Sequence, residues 1–458
     1  MKIPITYTIG ALLALFAVQA RAATATVLPG QSVQTAFNNA TAGDMIIIKA
    51  GVYNEDLTLN KNLDVRPESG AVVSLTGNLT LNAISGTFPF AKFKLGSANN
   101  KTLTITNCPD VFLEDIDGIT GGLTLNVTGS KVYAYSSSFK TVTFNSSDWT
   151  MQECNTTGAV TSNSSDTRVL RCNIGQNLYH SSAGESNCTV FQSTISELFH
   201  SKAKRSWFGY NTVKQILIEG GGAAEAEIVG NTVDRENLGS ASAYNQSANI
   251  ELNGANLVCN VRNNKIIRNY RNAYNTNHGV WIKNGSKIRI HNNIFHRLYN
   301  DGIHIDSVGE CEIVGNFFTF LGYYCVRGEF NGVKCNDNWY WSQGQIDGFT
   351  YGGVVAQNTG VGDPKFVAYN HDALTTSNNY TLQSSSPLIN EGSIDPEFKD
   401  HDGTRQDIGL YGGHHLDSNG TTSENPVVLS ADLAPIRIQK GVTSIVKIKS
   451  RAVVSTKR

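Results

Sequence analysis

Glu251, Trp281, His304 and Arg327 recur at near-regular intervals, and two residues after each stands a second polar group: Asn253, Lys283, Asp306 and Glu329. Carboxylates, an imidazole, an ammonium and a guanidinium suit acid–base chemistry if their spacing brings them onto one surface. An indole among them suits stacking on a sugar ring. Three readings stay open. In a β-elimination, a cation neutralises a uronate carboxylate while Lys283, His304 or Arg327 removes the C5 proton; against it, Asp306 and Glu329 would repel an anionic substrate. In a hydrolysis, Asp306 and Glu329 sit one repeat apart, at about the 5–5.5 Å of a retaining carboxylate pair, and Glu251 with Asp306 suits the wider inverting separation. In the third reading the surface is a non-catalytic sugar-binding or structural wall, and Lys283–Asp306 and Arg327–Glu329 are surface ion pairs worth about 0–1 kcal/mol each. The candidate catalytic residues are therefore Lys283, His304, Asp306, Arg327 and Glu329, with Glu251, Asn253, Trp281 and His278 as candidate substrate contacts. Asn275, Asn277, His291, Asn300 and Asp301 form a lower-ranked set on adjoining loops.

What must position these groups is a repeat. Leu-x-Leu-Asn begins at Leu57–Asn60, returns at Leu79–Asn82 and Leu123–Asn126, and weakens to Leu103–Thr106, Val142–Asn145 and Val160–Asn163. The series continues through Leu178, Leu198, Ile216, Ile250, Val280, Ile303 and Val326. A second series interleaves with it: Asn211, Asn231, Asn264, Asn293, Asn316 and Asn338 each follow a short apolar strand, with Cys154, Cys172 and Ser193 in the same slot earlier. A unit of about 20 residues cannot bury its own apolar face, whereas stacked units pair each strand in parallel with its copy about 4.8 Å away. The recurring Asn fits an inward amide ladder at a turn. Leucine-rich repeats share the period but need denser leucines. The expected fold is all-β, a right-handed parallel β-helix with an N-terminal capping helix.

Along the outward positions the early coils carry Thr58, Thr80, Thr104, Thr124, Thr143 and Thr161; the later ones carry Tyr179, Phe199, Leu217 and then the charged set. Two insertions, around 235–248 and 268–278, fall beside that set and suit the walls of a groove. The expected partner is a polysaccharide. A formal net charge of −1 gives no electrostatic case for nucleic acid or anionic lipid.

Lys2, the apolar run Ile9–Val18 and Ala20-Arg21-Ala22 read in order as a cleaved secretory signal, too short to span a bilayer. Nothing later is long and apolar enough to span one, so the product is expected to be secreted or held at the cell surface. Eight cysteines in an exported chain suggest disulfides at first. Cys188, Cys259 and Cys311, however, fall five residues before the turn slot, where other coils carry Ser206, Ala226 and Ile288, so they read as buried small residues; Cys154 and Cys172 share one slot in adjacent coils.

Residues 29–59 (Pro-Gly-Gln-Ser-Val-Gln-Thr-Ala-Phe, then Ala-Gly-Asp-Met-Ile-Ile-Ile-Lys-Ala-Gly-Val-Tyr) resemble the N-terminal cap of the pectate-lyase-like β-helix superfamily, in which Val33–Ala40 would cover the open end of the first coil. Gly362-Asp363-Pro364-Lys365-Phe366, Ser386-Pro387-Leu388-Ile389-Asn390 and Asp407-Ile408-Gly409-Leu410-Tyr411 resemble the closing segment of bacterial secreted proteins of that kind. The resemblance spans roughly residues 27–413 and bears on fold, because its motifs are caps and not sites. The layout expected is a signal peptide at 1–22, the β-helix with its caps at 23–413, a linker at 414–425 and a basic β-rich tail at 426–458. A monomer is expected, since caps close both ends. No metal spacing motif is present and no cofactor is expected; Asp400-His401-Asp402-Gly403 starts like a calcium loop but reads better as a turn.

Overall fold

The computed structural model describes residues 22–96, 100–118, 122–145, 147–164, 166–235, 248–268, 277–328, 332–341, 356–357, 360–369, 378–400, 402–413, 427–434 and 447–453. The proposed signal peptide, the tips of both insertions, Asn275, Glu329, His401 and the 414–425 linker lie essentially outside these residues.

Alternation of apolar and polar residues over three to five positions makes each segment a short strand with one face inward. Thr102–Thr106 is typical, with Leu103 and Ile105 fully buried between three half-exposed threonines. Such strands stack in parallel register into three walls. The first is a continuous sheet running from Thr24–Val27 to Ala356–Gln357. The second runs from Leu57–Leu59 through Ala248–Asn253 and His278–Asn284 to Val326–Arg327, and a third wall of shorter strands ends in Trp339–Trp341 and Gly360–Val361. One coil thus visits all three walls before the next begins, which is the right-handed parallel β-helix expected from the repeat. Inside it the leucine, isoleucine, valine and phenylalanine side chains form one core that extends through the coils.

The interleaved asparagines form the inward ladder. The backbone N–H of Asn211 donates to Asn231 Oδ1, Asn231 to Asn264, Asn264 to Asn293, Asn293 to Asn316 and Asn316 to Asn338, at 2.8–3.0 Å. Each amide Nδ2 also donates to a carbonyl of the preceding coil, as Asn293 does to Val261 at 2.8 Å. Ser193 and Cys172 occupy the slot earlier. The residue before each ladder position bends the chain with positive φ: Tyr210, Gly230, Asn263, Asn292, Gly315 and Asp337. All eight cysteines are buried thiols, and Cys188, Ser206, Ala226, Cys259, Ile288 and Cys311 stack in one register.

The helix Val33–Asn39 begins at Ser32, whose Oγ accepts the Thr35 N–H at 3.0 Å; Glu55 accepts the N–H groups of Val33 and Gln34. Val33 and Phe37 join the main core. At the other end the chain leaves the coils and runs back along the ladder turn. Gly409 N–H donates to Gly315 O; Asn292 Nδ2 donates to the carbonyls of Asp407 and Gly409; Asn263 Nδ2 donates to those of Leu410 and Gly412. Phe366, Tyr380, Leu388, Ile408 and Leu410 pack there on Ile294 and Phe317 as a second, smaller core. A Cβ at Gly315, where φ is +65°, would meet the Gln406 side chain at 2.9 Å, so a larger residue at that crossing would have to displace Gln406. Within the stretch expected to be β-rich, Val427–Ala434 and Lys447–Val453 pair as antiparallel strands.

Candidate functional site

The outward row of the second wall aligns Tyr179, His200, Leu217, Glu251, Trp281, His304 and Arg327 across successive coils. This is the expected row with one exchange. A register shift between Ile195 and Leu198 turns Phe199 inward, fully buried, and His200 outward. In the early coils the row reads Thr58, Thr80, Thr104, Asn126, Thr143 and Thr161; Thr124 stands one step aside, its Oγ1 3.1 Å from that of Thr141.

The charged coils are built around His304. Its Nδ1 lies 2.9 Å from Asp301 Oδ2, and its Nε2 lies 3.1 Å from Asp306 Oδ1. Both contacts are hydrogen bonds together only when both ring nitrogens carry hydrogen or one carboxyl does. Trp281 Nε1–H donates to the second oxygen of Asp306 at 2.7 Å. Asp306 is thereby fixed on both oxygens while its side chain stays 44% exposed. Asp301, on the turn before the strand, is fully buried, and its Oδ1 accepts the Tyr324 N–H at 3.2 Å. Its Oδ2 also faces His278, with Nδ1 3.2 Å away but without the alignment of a full hydrogen bond. Burial alone would push the Asp301 carboxyl up; the close imidazoles of His278 and His304, the latter hydrogen-bonded to it, overcome that and hold it at about 2. Burial pulls His278 below the ordinary imidazole range, with Asp301 opposing. The two imidazoles stack with centroids 4.2 Å apart.

The remaining candidates divide. Lys283 lies at a second register shift, between Leu252 and Asn253, which places Asn284 opposite Asn253. Its ammonium pairs with Glu251 at 2.7 Å, in place of the expected Asp306, and sits 4.4 Å from the centroid of the Trp281 ring. Glu251 and His278 are buried, which removes them from direct contact with a large ligand; Asn253, Asp306 and Arg327 are exposed. Arg327 lies over the Tyr324 ring. Glu329, the expected partner of Asp306, lies outside the described residues.

Two features escape the sequence pattern. His200 binds Glu219 at 3.1 Å beside Lys202, an acid–base cluster hidden by the register shift. Burial draws His200 below the usual imidazole range, and Glu219 opposes it. His278, Asp301 and His304 present ligand atoms all within 4.8 Å of one another, a set spread over two coils that no linear spacing motif describes. Recurrence of His and Asp near successive strand ends was the available signal. A broad recess of about 890 Å³ lies elsewhere, near Lys49, Asp64, Arg66 and Glu68, whose charges pair among themselves.

Fold and face together define a parallel β-helix protein with an acid–base cluster on one wall. No protein-family model and no curated protein matches the chain. Among solved structures it is similar to tailspike protein 3 of bacteriophage CBA120, at 12% identity and TM-score 0.38 over 73% of this chain and 55% of the tailspike, so it spans about half the length of that protein. It is similar to a PL6 family polysaccharide lyase from Pseudopedobacter saltans, at 12% identity and TM-score 0.29 over 78% and 95% of the two chains. A third likeness, to pectate lyase Pel9A, has 13% identity and TM-score 0.25 over 83% and 90%. Likenesses this distant carry no functional argument, which rests on the residues.

Proposed function

We propose that the protein is exported and that its second wall binds a polysaccharide and cleaves it by acid–base chemistry at Asp306. The observation that carries the reading is a half-exposed carboxylate fixed on both oxygens, by Trp281 Nε1–H and His304 Nε2. A carboxylate that accepts on both oxygens is oriented, without reorganising, to act as base or nucleophile, the proton for the glycosidic oxygen coming from a second carboxyl group. Asp301, buried behind His304, is the positioning residue.

Charge favours hydrolysis of a neutral glycan over elimination. Around the face, the carboxylates of Glu251, Asp301 and Asp306 stand against the cations of Lys283 and Arg327, and Lys283 is already paired. That is not a field to attract uronates. Glu329, two residues beyond Arg327, is one of the two partner carboxylates the sequence offers, Glu251 being the other. A second reading, a non-catalytic glycan-binding wall, is supported by the internal pairing of Lys283 with Glu251 and of Asp306 with Trp281. For it, Lys283 must leave the indole face before a sugar can stack there.

The test is a screen of residues 23–458 on neutral and uronate polysaccharides, reading reducing ends and 235 nm absorbance together. Reducing ends without absorbance, lost in Asp306→Asn, are expected. Absorbance abolished by Lys283→Ala or His304→Ala would replace hydrolysis with elimination. Silence on both, with glycan still bound, would leave the binding wall.

A further inference from the structure

We infer that His278, Asp301 and His304 form a binding site for a transition-metal dication of the zinc type. The inference goes beyond the proposed glycan chemistry and stands without it.

Four observations converge. The ligand set is two imidazoles and one carboxylate, the donors zinc prefers when three come from protein. Two of the three edges fit, with Asp301 Oδ2 2.9 Å from His304 Nδ1 and 3.2 Å from His278 Nδ1, and all three ligand atoms lie within 4.8 Å of one another. Tetrahedral zinc with bonds of about 2.0–2.1 Å has ligand–ligand edges of about 3.3 Å. The His278 Nδ1 atom is buried with no well-formed hydrogen bond, an unusual state for an imidazole nitrogen beside a carboxylate. Finally, the outer partners are those a metal site needs. His304 turns its other nitrogen to the Asp306 carboxylate, which Trp281 fixes in turn, and the second oxygen of Asp301 is held by the Tyr324 N–H.

Binding replaces the proton between His304 Nδ1 and Asp301 Oδ2 with the ion and releases that proton to solvent, so uptake is pH-dependent. The imidazoles, stacked with planes 22° apart, rotate toward the shared Oδ2 as they close on the ion. With His304 ligated through Nδ1, its Nε2 carries hydrogen and donates to Asp306. The ion therefore fixes the tautomer that orients the exposed carboxylate. Calcium is excluded as the occupant, because it takes six to eight oxygen ligands and this cluster offers one carboxylate.

The experiment is titration of tag-free, chelator-treated protein with Zn²⁺, with Ca²⁺ as contrast, followed by calorimetry and bound-metal analysis. One Zn²⁺ per chain is expected, and none in His278→Gln or Asp301→Asn. Asp306→Asn should weaken binding about 10–100-fold through the outer partner. His200→Gln, which removes a histidine from the same row two coils beyond Glu251, should bind as the parent does. X-ray absorption of the zinc-loaded parent should count two imidazoles, a readout that does not depend on whether any variant folds. Absence of stoichiometric Zn²⁺ binding, equal binding by His278→Gln, or fewer than two imidazoles at the ion would overturn the inference. None of these readouts uses glycan cleavage, so failure here and failure of the hydrolase reading are distinguishable.

Discussion

The early coils, residues 57–163, and the late coils, residues 248–328, share one backbone plan and differ in what they do with it. Both bury alternate aliphatic residues completely: Leu79, Leu81, Leu103 and Ile105 in one, Ile250, Leu252, Val280 and Ile282 in the other. Their outward rows diverge from threonine and asparagine to Glu251, Trp281, His304 and Arg327. The late coils also bury charge, in Asp301 and Glu251, where the early ones bury none among the described residues. A solenoid can do this because its stability is approximately a sum over coils and their neighbours. A few coils can then carry costly polar groups while the rest hold the chain together.

Substitutions can break that comparison, beginning with the largest effect. Asn293→Ala should cost about 3 kcal/mol or more, since Asn293 accepts from two groups of Asn264 and donates to Val261, His291 and Asn316, and its loss strands buried partners. Urea unfolding would measure it, and a cost under 1 kcal/mol would show that the ladder is ornamental. Asp301→Ala should cost about 3 kcal/mol by stranding the buried His278 and removing the Nδ1 partner of His304. Asp306→Ala, at an exposed position, should cost under about 1 kcal/mol in the same assay. If the two aspartates cost the same, the division between a supporting and a reacting carboxylate fails. Smallest of all, Thr143→Val on the early wall should change stability by no more than about 0.5 kcal/mol.

Two buried aspartates sharpen the comparison through pH. The folded-state pKa of Asp301 is depressed to about 2, so its contribution is present above the unfolded value near 3.9 and is lost as pH falls through 2. Asp400, in the strap, has the opposite sign: burial first, and then the nearby Asp407 charge, raise it to about 8, and burial raises Asp407 to about 6. Their contribution is full below about 4 and is lost as pH rises through 6 and then 8. Amide exchange at Asp407 and Gly413, whose N–H groups donate to Asp400, should therefore be slower at pH 5 than at pH 9 after correction for intrinsic rates. Asp400→Asn should flatten that difference, and an unchanged profile would reject the coupling.

Much of the architecture was legible in the sequence because a solenoid writes its plan repeatedly. Leu-x-Leu-Asn marked the second wall, and the recurring Asn marked the turn ladder, with hydrogen bonds where expected. What stayed hidden came from single-residue shifts, since a slip of one position moves a side chain to the opposite face. The shift before Leu198 exchanged Phe199 for His200, and the one after Leu252 moved Lys283 from Asp306 to Glu251. Asp301 lies on a turn outside the two-residue alternation, so pattern could suggest its neighbourhood but not its double engagement with His278 and His304.

The returning strap touches Gly315, Asn292 and Asn263 in that order, on three consecutive coils about 4.8 Å apart. It works as a ruler. Upstream, a whole coil can be gained or lost and the ladder rejoins, because each rung recognises only the next. Between Asn263 and Gly315 the count is fixed, for one coil more or fewer leaves the strap out of step with its marks. The chemistry-bearing strands from His278 to Ile305 fall within that gauged interval, so lineages descended from such a chain can vary in length toward the N-terminus while the distance from strap to site stays constant.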